Sequence, residues 1–215
     1  MTPAPAPHHD PLPGAAELAA LLEARLRGRS VAELPGPGRR AAVLIVLYDI
    51  DDAPHLMLTK RSDDLPSHPG QISLPGGVID PGDRSGRDAA LRETEEEVGL
   101  PRSALRVLGE LDDVHTMTSG FIIRPFVALL ERPARAVPSD AEVARIIDAP
   151  LADLLRADAA LPAEPAPLAL RYPLAGEDVW GATARVLRIL VRVTREALSA
   201  GRAPTASAAA ADPGR

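Results

Sequence analysis

Glu93, Glu95, Glu96 and Glu97 crowd into five consecutive positions of the segment GGVIDPGDRSGRDAALRETEEEVGL, residues 76–100. At helical spacing Glu93, Glu96 and Glu97 share one ridge, and Glu95 points elsewhere. Like charges three and four residues apart destabilise a helix by a few tenths of a kcal/mol each, and near a helix C-terminus they also face the negative pole of the dipole. Two readings are open. The ridge is a solvated acidic face, or it is a site for a hard divalent cation. Mg²⁺ in particular is held by a few carboxylates together with water and substrate phosphates.

The flanking residues define the element that carries this ridge. Ser85 followed three residues later by Asp88 forms a capping-box-like start, and Gly99 is suited to the position just past a helix end, so a helix is predicted over about 86–98. Leu91, Thr94 and Val98 fall on one stripe that should pack on a sheet. Upstream, AAVLIVLY (Ala41–Tyr48), the turn DIDDAP and HLMLTKR (His55–Arg61) read as a hairpin, and a Gly/Pro-punctuated loop from Ser62 to Pro75 leads into the acidic segment. Downstream, strands are predicted at about 105–111 and 121–130, a short strand through Glu142–Ile147, a helical turn at 151–156 and a final helix at about 182–199. AAELAALLEARLR, Ala15–Arg27, has leucines at helical spacing and is ended by GPGRR. Interleaved strands and helices without an internal repeat give one α/β domain. The boundaries expected are a disordered tail at 1–13, a helix and linker at 14–35, the domain proper at 36–200 and a second disordered tail at 201–215, both tails being rich in small, polar or proline residues.

Composition narrows the function classes. The chain has 215 residues and a formal charge of −6, so it offers no basic footprint for a nucleic-acid backbone. One Trp, two Tyr and two Phe leave little for a base-stacking platform. With no cysteine there is neither a disulfide framework nor a thiolate metal site. His8 and His9 fall in the expected tail, and His55, His68 and His115 lack ligand spacing, which argues against a histidine zinc site. The N-terminal residues do not read as a signal peptide and no apolar run approaches the roughly 20 residues that span a bilayer, so the expected location is the cytoplasm, with no membrane partner.

The pattern G-G-x-x-D-P-G-D, eight further residues, then R-E-T-x-E-E-x-G-L resembles the Nudix box of hydrolases that cleave nucleoside diphosphates linked to another moiety. Asp83 stands where that family usually has Glu before the spacer, and the spacer is one residue longer than the general pattern. The longer spacer is a feature of the coenzyme A diphosphatase branch. LMLTKRSDDLPSHPGQISLPGG, Leu56–Gly77, resembles a second signature of that branch, with Pro66 where a basic residue is common and Leu74 where Phe is common. VWGATARVL, Val179–Leu187, resembles a Trp-Gly-x-Thr-Ala-Arg helix start near the end of such proteins. The resemblance covers roughly residues 36–195.

It implies a Nudix-type α/β/α sandwich with a mixed sheet and a loop-helix-loop catalytic segment. Carried over residue by residue, it implies Glu93, Glu96 and Glu97 as metal and base positions and the Gly76 or Gly77 carbonyl as an extra ligand. Arg92 is the arginine that orients the glutamates. Asp83 either supports the site or caps its loop. Glu142 is a remote acidic ligand or base, or an ordinary surface residue. The cofactor implied is Mg²⁺ or Mn²⁺, and the partner is a small-molecule substrate, with a homodimer left open. Lys60, Arg61 and Arg124 are the cations expected nearest the cleft. His68 and Gly70 lie in the loop before the box, and Gly76 and Gly77 form its opening turn, so these glycines, His68, Lys60 and Arg61 are the expected substrate contacts. Because Pro66 replaces a basic residue, the 3′-phosphate of coenzyme A must be met by Arg61, Lys60 or another cation, or stay in water. Trp180 is expected to be a core or packing residue. The activity implied is metal-dependent hydrolysis of coenzyme A or acyl-coenzyme A to 3′,5′-ADP and 4′-phosphopantetheine or its acyl form. The alternatives are hydrolysis of another diphosphate, such as ADP-ribose or a dinucleotide, and a non-catalytic nucleotide-binding module, which the retained glutamates disfavour.

Overall fold

The structure, a computed structural model, describes residues 11–117, 120–132, 134–139, 141–163, 165–166 and 169–202. The expected tails fall largely outside the described residues. Leu12, placed in the first of them, instead packs partly buried against the core, and Gly201 and Arg202 continue the last helix.

The chain runs α1 (Ala15–Leu26), β1 (Arg39–Ile50), β2 (Ala53–Arg61), β3 (Ile72–Ser73), β4 (Gly76–Val78) and α2 (Gly86–Val98). It continues with β5 (Leu105–Glu110), β6 (Val114–His115), β7 (Phe121–Leu130), β8 (Val143–Pro150), α3 (Leu151–Ala159), the hairpin β9 (Arg171–Leu174) and β10 (Glu177–Trp180), and α4 (Gly181–Arg202). Strands β1 to β8 form one mixed sheet, in which β1 and β7 are parallel and the other pairings antiparallel.

Strand β1 lies at the centre and is buried on both faces, which is why its sequence is a continuous apolar run rather than an alternating one. Ala42, Leu44 and Val46 pack with Ala89, Ala90 and Val98 of α2 on one face. Ile45 and Leu47 point to the other face, where α1, α3 and α4 close the larger core cluster. The result is an α/β/α sandwich. Helix α1 belongs to it: Leu18 and Leu22 have no exposed surface, and each contributes roughly 1.5–3 kcal/mol of burial.

One irregularity makes room for a site. Along the same edge of β1, β2 pairs only with Leu47–Ile50, while β4 takes over at Ala41–Val43. The two strands diverge, and the Pro75–Gly77 turn enters the gap, anchored by the Leu44 N–H donating to the Pro75 carbonyl at 2.9 Å.

Several elements differ from the sequence expectation. Strand β8 spans Val143–Pro150, so Glu142 precedes it instead of opening it, and α3 extends to Ala159. The β9–β10 hairpin was not expected at all. Trp180, expected as a core or packing residue, is not in the core but 43% exposed: Val179 turns into the core, and strand alternation turns Trp180 out, with the Arg171 guanidinium 5.8 Å from its ring centre.

Candidate active site

Helix α2 begins and ends as its sequence dictates. The Ser85 hydroxyl accepts from the Asp88 N–H at 3.2 Å, and Gly99 terminates the helix at φ +67°, a conformation that costs glycine little. Thr94, Glu97 and Val98 are buried on the sheet side, with Leu91 half-buried beside them, while Glu95 and Glu96 are exposed.

The three glutamates therefore do not form one exposed ridge. Glu93 is half-buried, Glu96 faces solvent and Glu97 is only 6% exposed. Glu97 turns beneath the Pro75–Gly77 turn, where its carboxylate accepts the Gly76 N–H at 3.0 Å. The two glycines are what let the turn come this close. Gly76 sits at φ +146°, and a Cβ there would run into the Ala42 carbonyl and the Val43 backbone. A Cβ on Gly77 would meet the Glu93 carboxylate at 2.5–2.7 Å, so Glu93 lies flat against the bare backbone.

Arg92 is the hub of this region. Its Nε and Nη2 grip Asp83 as a two-pronged fork, both bonds at 3.0 Å, and Nη2 also donates to the Val78 carbonyl at 3.2 Å. Its Nη1 reaches Glu93 at 2.9 Å and Glu96 at 3.0 Å. Hydrogen bonding to Asp83 raises the Arg92 pKa, and the same bonds hold the Asp83 carboxyl below its usual range. Asp83 also accepts the Asp80 N–H at 2.8 Å, so it ties its own loop to the arginine. Of the two roles weighed for Asp83 in the sequence, the bond to the Asp80 N–H is a loop contact, and the fork to Arg92 joins that loop to the glutamate helix.

Electrostatically the cluster is under-neutralised. Burial pushes the Glu97 carboxyl up to about 7; the charges of Glu93 and Glu142 push the same way, against the Gly76 N–H and Arg61. Glu93 is raised as well, first by burial, with Arg92 opposing and Glu96 and Glu142 adding to the rise. Four glutamates thus share one field, and the fourth, Glu142, comes from the residue just before β8. Its sequence offered only a single acid at the edge of an expected strand, a weak signal.

The other expected contacts distribute unevenly. Arg61 lies within electrostatic reach of Glu97, and its Nε is buried without a hydrogen-bond partner. Lys60 is turned to Glu177 of the β9–β10 hairpin at 3.4 Å. His68, at φ +55°, and Gly70 lie in the loop between β2 and β3, and Gly70 has a backbone that would press any Cβ to 2.8 Å from the Asp63 carboxylate. Arg124 belongs elsewhere: it is bound by Asp113, Glu110 and Glu33.

The oxygen-only donor set suits a hard cation and not zinc or copper. Among the described residues, no three His, Asp or Glu side chains are already gathered at metal-ligand spacing. One or two carboxylates are enough for Mg²⁺, which dehydrates reluctantly and keeps several waters. Glu93 and Glu97, with Glu96 beside them, fit that requirement, and the charge they leave uncompensated is what a divalent ion would neutralise.

The comparisons agree with this geometry. The NUDIX domain family matches residues 38–167. A protein of Photorhabdus laumondii named as an uncharacterized Nudix hydrolase NudL is 41% identical over 130 residues, which cover 57% of this chain and 68% of that one. The protein of the same name in Yersinia pestis is 43% identical over 117 residues, 54% of this chain and 58% of that one, so the match spans little more than half of that relative. Among solved structures, the Nudix hydrolase RenU of M. smegmatis superposes with a TM-score of 0.54 at 20% identity, covering 74% of this chain and 86% of that chain. The NUDIX domain of Shewanella oneidensis NrtR, solved with ADP ribose, gives 0.50 at 20% identity over 76% of this chain and 90% of that chain. At such identities the structural matches speak for the fold. With the acidic helix, the double-glycine turn and the Arg92 hub in place, the chain belongs to the Nudix hydrolase family.

Proposed function

We propose that the protein hydrolyses the diphosphate bond of coenzyme A or an acyl-coenzyme A, releasing 3′,5′-ADP and 4′-phosphopantetheine or its acyl form. The observation that carries hydrolysis is the buried, under-neutralised Glu93–Glu97 pair set against the Gly76–Gly77 turn. Two observations support coenzyme A as the substrate. Leu56–Gly77 and Val179–Leu187, the segments that resemble the coenzyme A branch, are bonded to each other. Thr183 donates to the Ile72 carbonyl at 3.1 Å, and Lys60 meets Glu177 just ahead of the second segment.

Glu93, Glu96 and Glu97 would hold Mg²⁺ or Mn²⁺, with the Gly76 carbonyl as a further oxygen donor. Such an ion supplies charge neutralisation for the diphosphate oxygens and a lowered pKa for water. The protein's own part is positional. Arg92, clamped by Asp83, holds Glu93 and Glu96 in fixed directions, the task of groups that orient ligands from behind. A ridge glutamate accepts the proton of the attacking water. Arg61, whose charge acts on Glu97, is the cation this reading assigns to the scissile diphosphate.

Incubation with coenzyme A, ADP-ribose, NADH and diadenosine polyphosphates, with products identified by mass spectrometry, tests the proposal. It expects 3′,5′-ADP and 4′-phosphopantetheine from coenzyme A at the highest kcat/KM. A clear preference for ADP-ribose or a dinucleotide would overturn the substrate while leaving the hydrolase intact.

A further inference from the structure

A cleft of about 790 Å³ lies along α4, on the sheet face opposite α2. That volume is within the range of small-ligand sites. Its wall carries Arg185, Arg188, Arg192 and Arg195, which recur at three- and four-residue intervals and so form one stripe of the helix.

The acids nearby do not cancel this stripe. Asp158 is shared by Arg188 at 3.1 Å and Arg195 at 2.7 Å, and Asp112 by Arg29 and by Arg192 at 2.8 Å, so each aspartate leaves one guanidinium charge over. Glu196 is matched by Arg25, and Asp113 by Arg40 and Arg124. Arg185 has no acid partner among the described residues. Its one hydrogen bond runs from Nε to the Gly181 carbonyl at 3.4 Å, and desolvation alone lowers its pKa. A chain with formal charge −6 has thus gathered surplus positive charge at one cleft, where a half-buried cation meets no acid among the described residues. Such a cation is a cost to the fold unless an anion answers it. Leu34, Val114, Leu170, Ile189 and Val191 line the same cleft and offer an apolar bed.

We infer that the α4 cleft is a second ligand site, distinct from the glutamate cluster, that binds a phosphomonoester through Arg185 and seats the ligand's less polar body on the apolar wall. A phosphomonoester is also the chemical class that hydrolysis of a diphosphate linkage releases, so the cleft is suited to a product of such a reaction.

Isothermal titration of the full chain with 5′-AMP, in a metal chelator at low salt, tests this against adenosine as the phosphate-free control. The inference expects saturable binding of AMP, at least about tenfold weaker binding in Arg185→Gln, the loss expected for a charge-assisted hydrogen bond, and affinity kept within a few-fold in Arg185→Lys. Arg185→Gln should melt no lower than the wild type, since it removes an unpaired charge. If it does not fold, His115→Glu, an exposed substitution on the cleft wall, should weaken AMP binding by repulsion. Equal AMP affinity in wild type and Arg185→Gln, or in wild type and His115→Glu where that variant is used, or adenosine bound as tightly as AMP, would overturn the site.

Discussion

Asp113 and Glu97 are both nearly shielded from water, at 8% and 6% exposure, but the chain treats them in opposite ways. Burial alone would raise the Asp113 carboxyl; hydrogen bonds from Arg124 and the Leu34 N–H, with the charge of Arg40 nearby, bring it below its usual range instead. Asp112 follows the same pattern with the Ala32 N–H and Arg29. At Glu97 the helix offers no such match. Arg92 is spent on Asp83, Glu93 and Glu96, and Glu97 is left with one backbone N–H and the more distant field of Arg61, so burial wins and its carboxyl rises to about 7. Where a carboxylate serves the fold, this chain brings an arginine to it. Where several carboxylates are gathered and left short of cations, the proposed function has a bound cation supply the missing charge.

The contrast can be broken first by activity. Glu93→Gln, Glu96→Gln and Glu97→Gln should each lower kcat by roughly 10²–10⁴-fold, the range of a lost base or metal position, while metal-free Glu97→Gln, which breaks no ion pair among the described residues and loses like-charge repulsion, melts no lower than the wild type. Near-normal turnover in all three would remove the site from the ridge.

The reverse outcome is expected at the matched cluster. Asp113→Ala removes the acid partner of Arg40, takes one of three acids from Arg124 and frees the Leu34 N–H, which should cost about 3 kcal/mol in denaturant unfolding, with divalent-ion binding unchanged. A loss below about 0.5 kcal/mol would mean that the network is a surface ornament of the kind exposed ion pairs usually are.

A smaller effect follows from pH. Asp112 and Asp113 have folded-state pKa values depressed below the unfolded ones, so the unfolded chain takes up protons first as acid is added. Their stabilisation is full above the ordinary carboxylate range and is lost as pH falls through the depressed values. Unfolding free energy measured from pH 6 downward should therefore fall less steeply in Asp113→Asn than in the wild type, and parallel slopes would contradict the assignment.

Much of this was legible in the residues. Ser85 and Gly99 bound α2 where the structure has it, because caps act locally. The grouping of three glutamates on one ridge was too coarse. A helical wheel gives directions around an axis but not how far a neighbouring strand reaches, and Glu97 is buried because Gly76 and Gly77, without side chains, let the turn close over it. The β9–β10 hairpin rests on Ala175 and Gly176, both at positive φ; Ala there gives no turn signal of the Asn-Gly or Asp-Gly kind. Of the two places open to Trp180, the core is excluded by the alternation of β10, which turns it outward. That Arg185 meets no acid among the described residues could not be read at all, since an arginine on an amphipathic helix looks the same in sequence whether or not an acid from another element reaches it.

The most direct test of the central claim is thermal melting of the full chain with millimolar Mg²⁺ or Mn²⁺ against chelator, in wild type, Glu97→Gln and Asp113→Asn. If the under-neutralised glutamates are a cation site, the ions raise the melting temperature of the wild type by linkage, raise that of Asp113→Asn by a similar amount from its lower baseline, and leave Glu97→Gln nearly unmoved. An equal rise in wild type and Glu97→Gln would place the ions elsewhere and contradict the account.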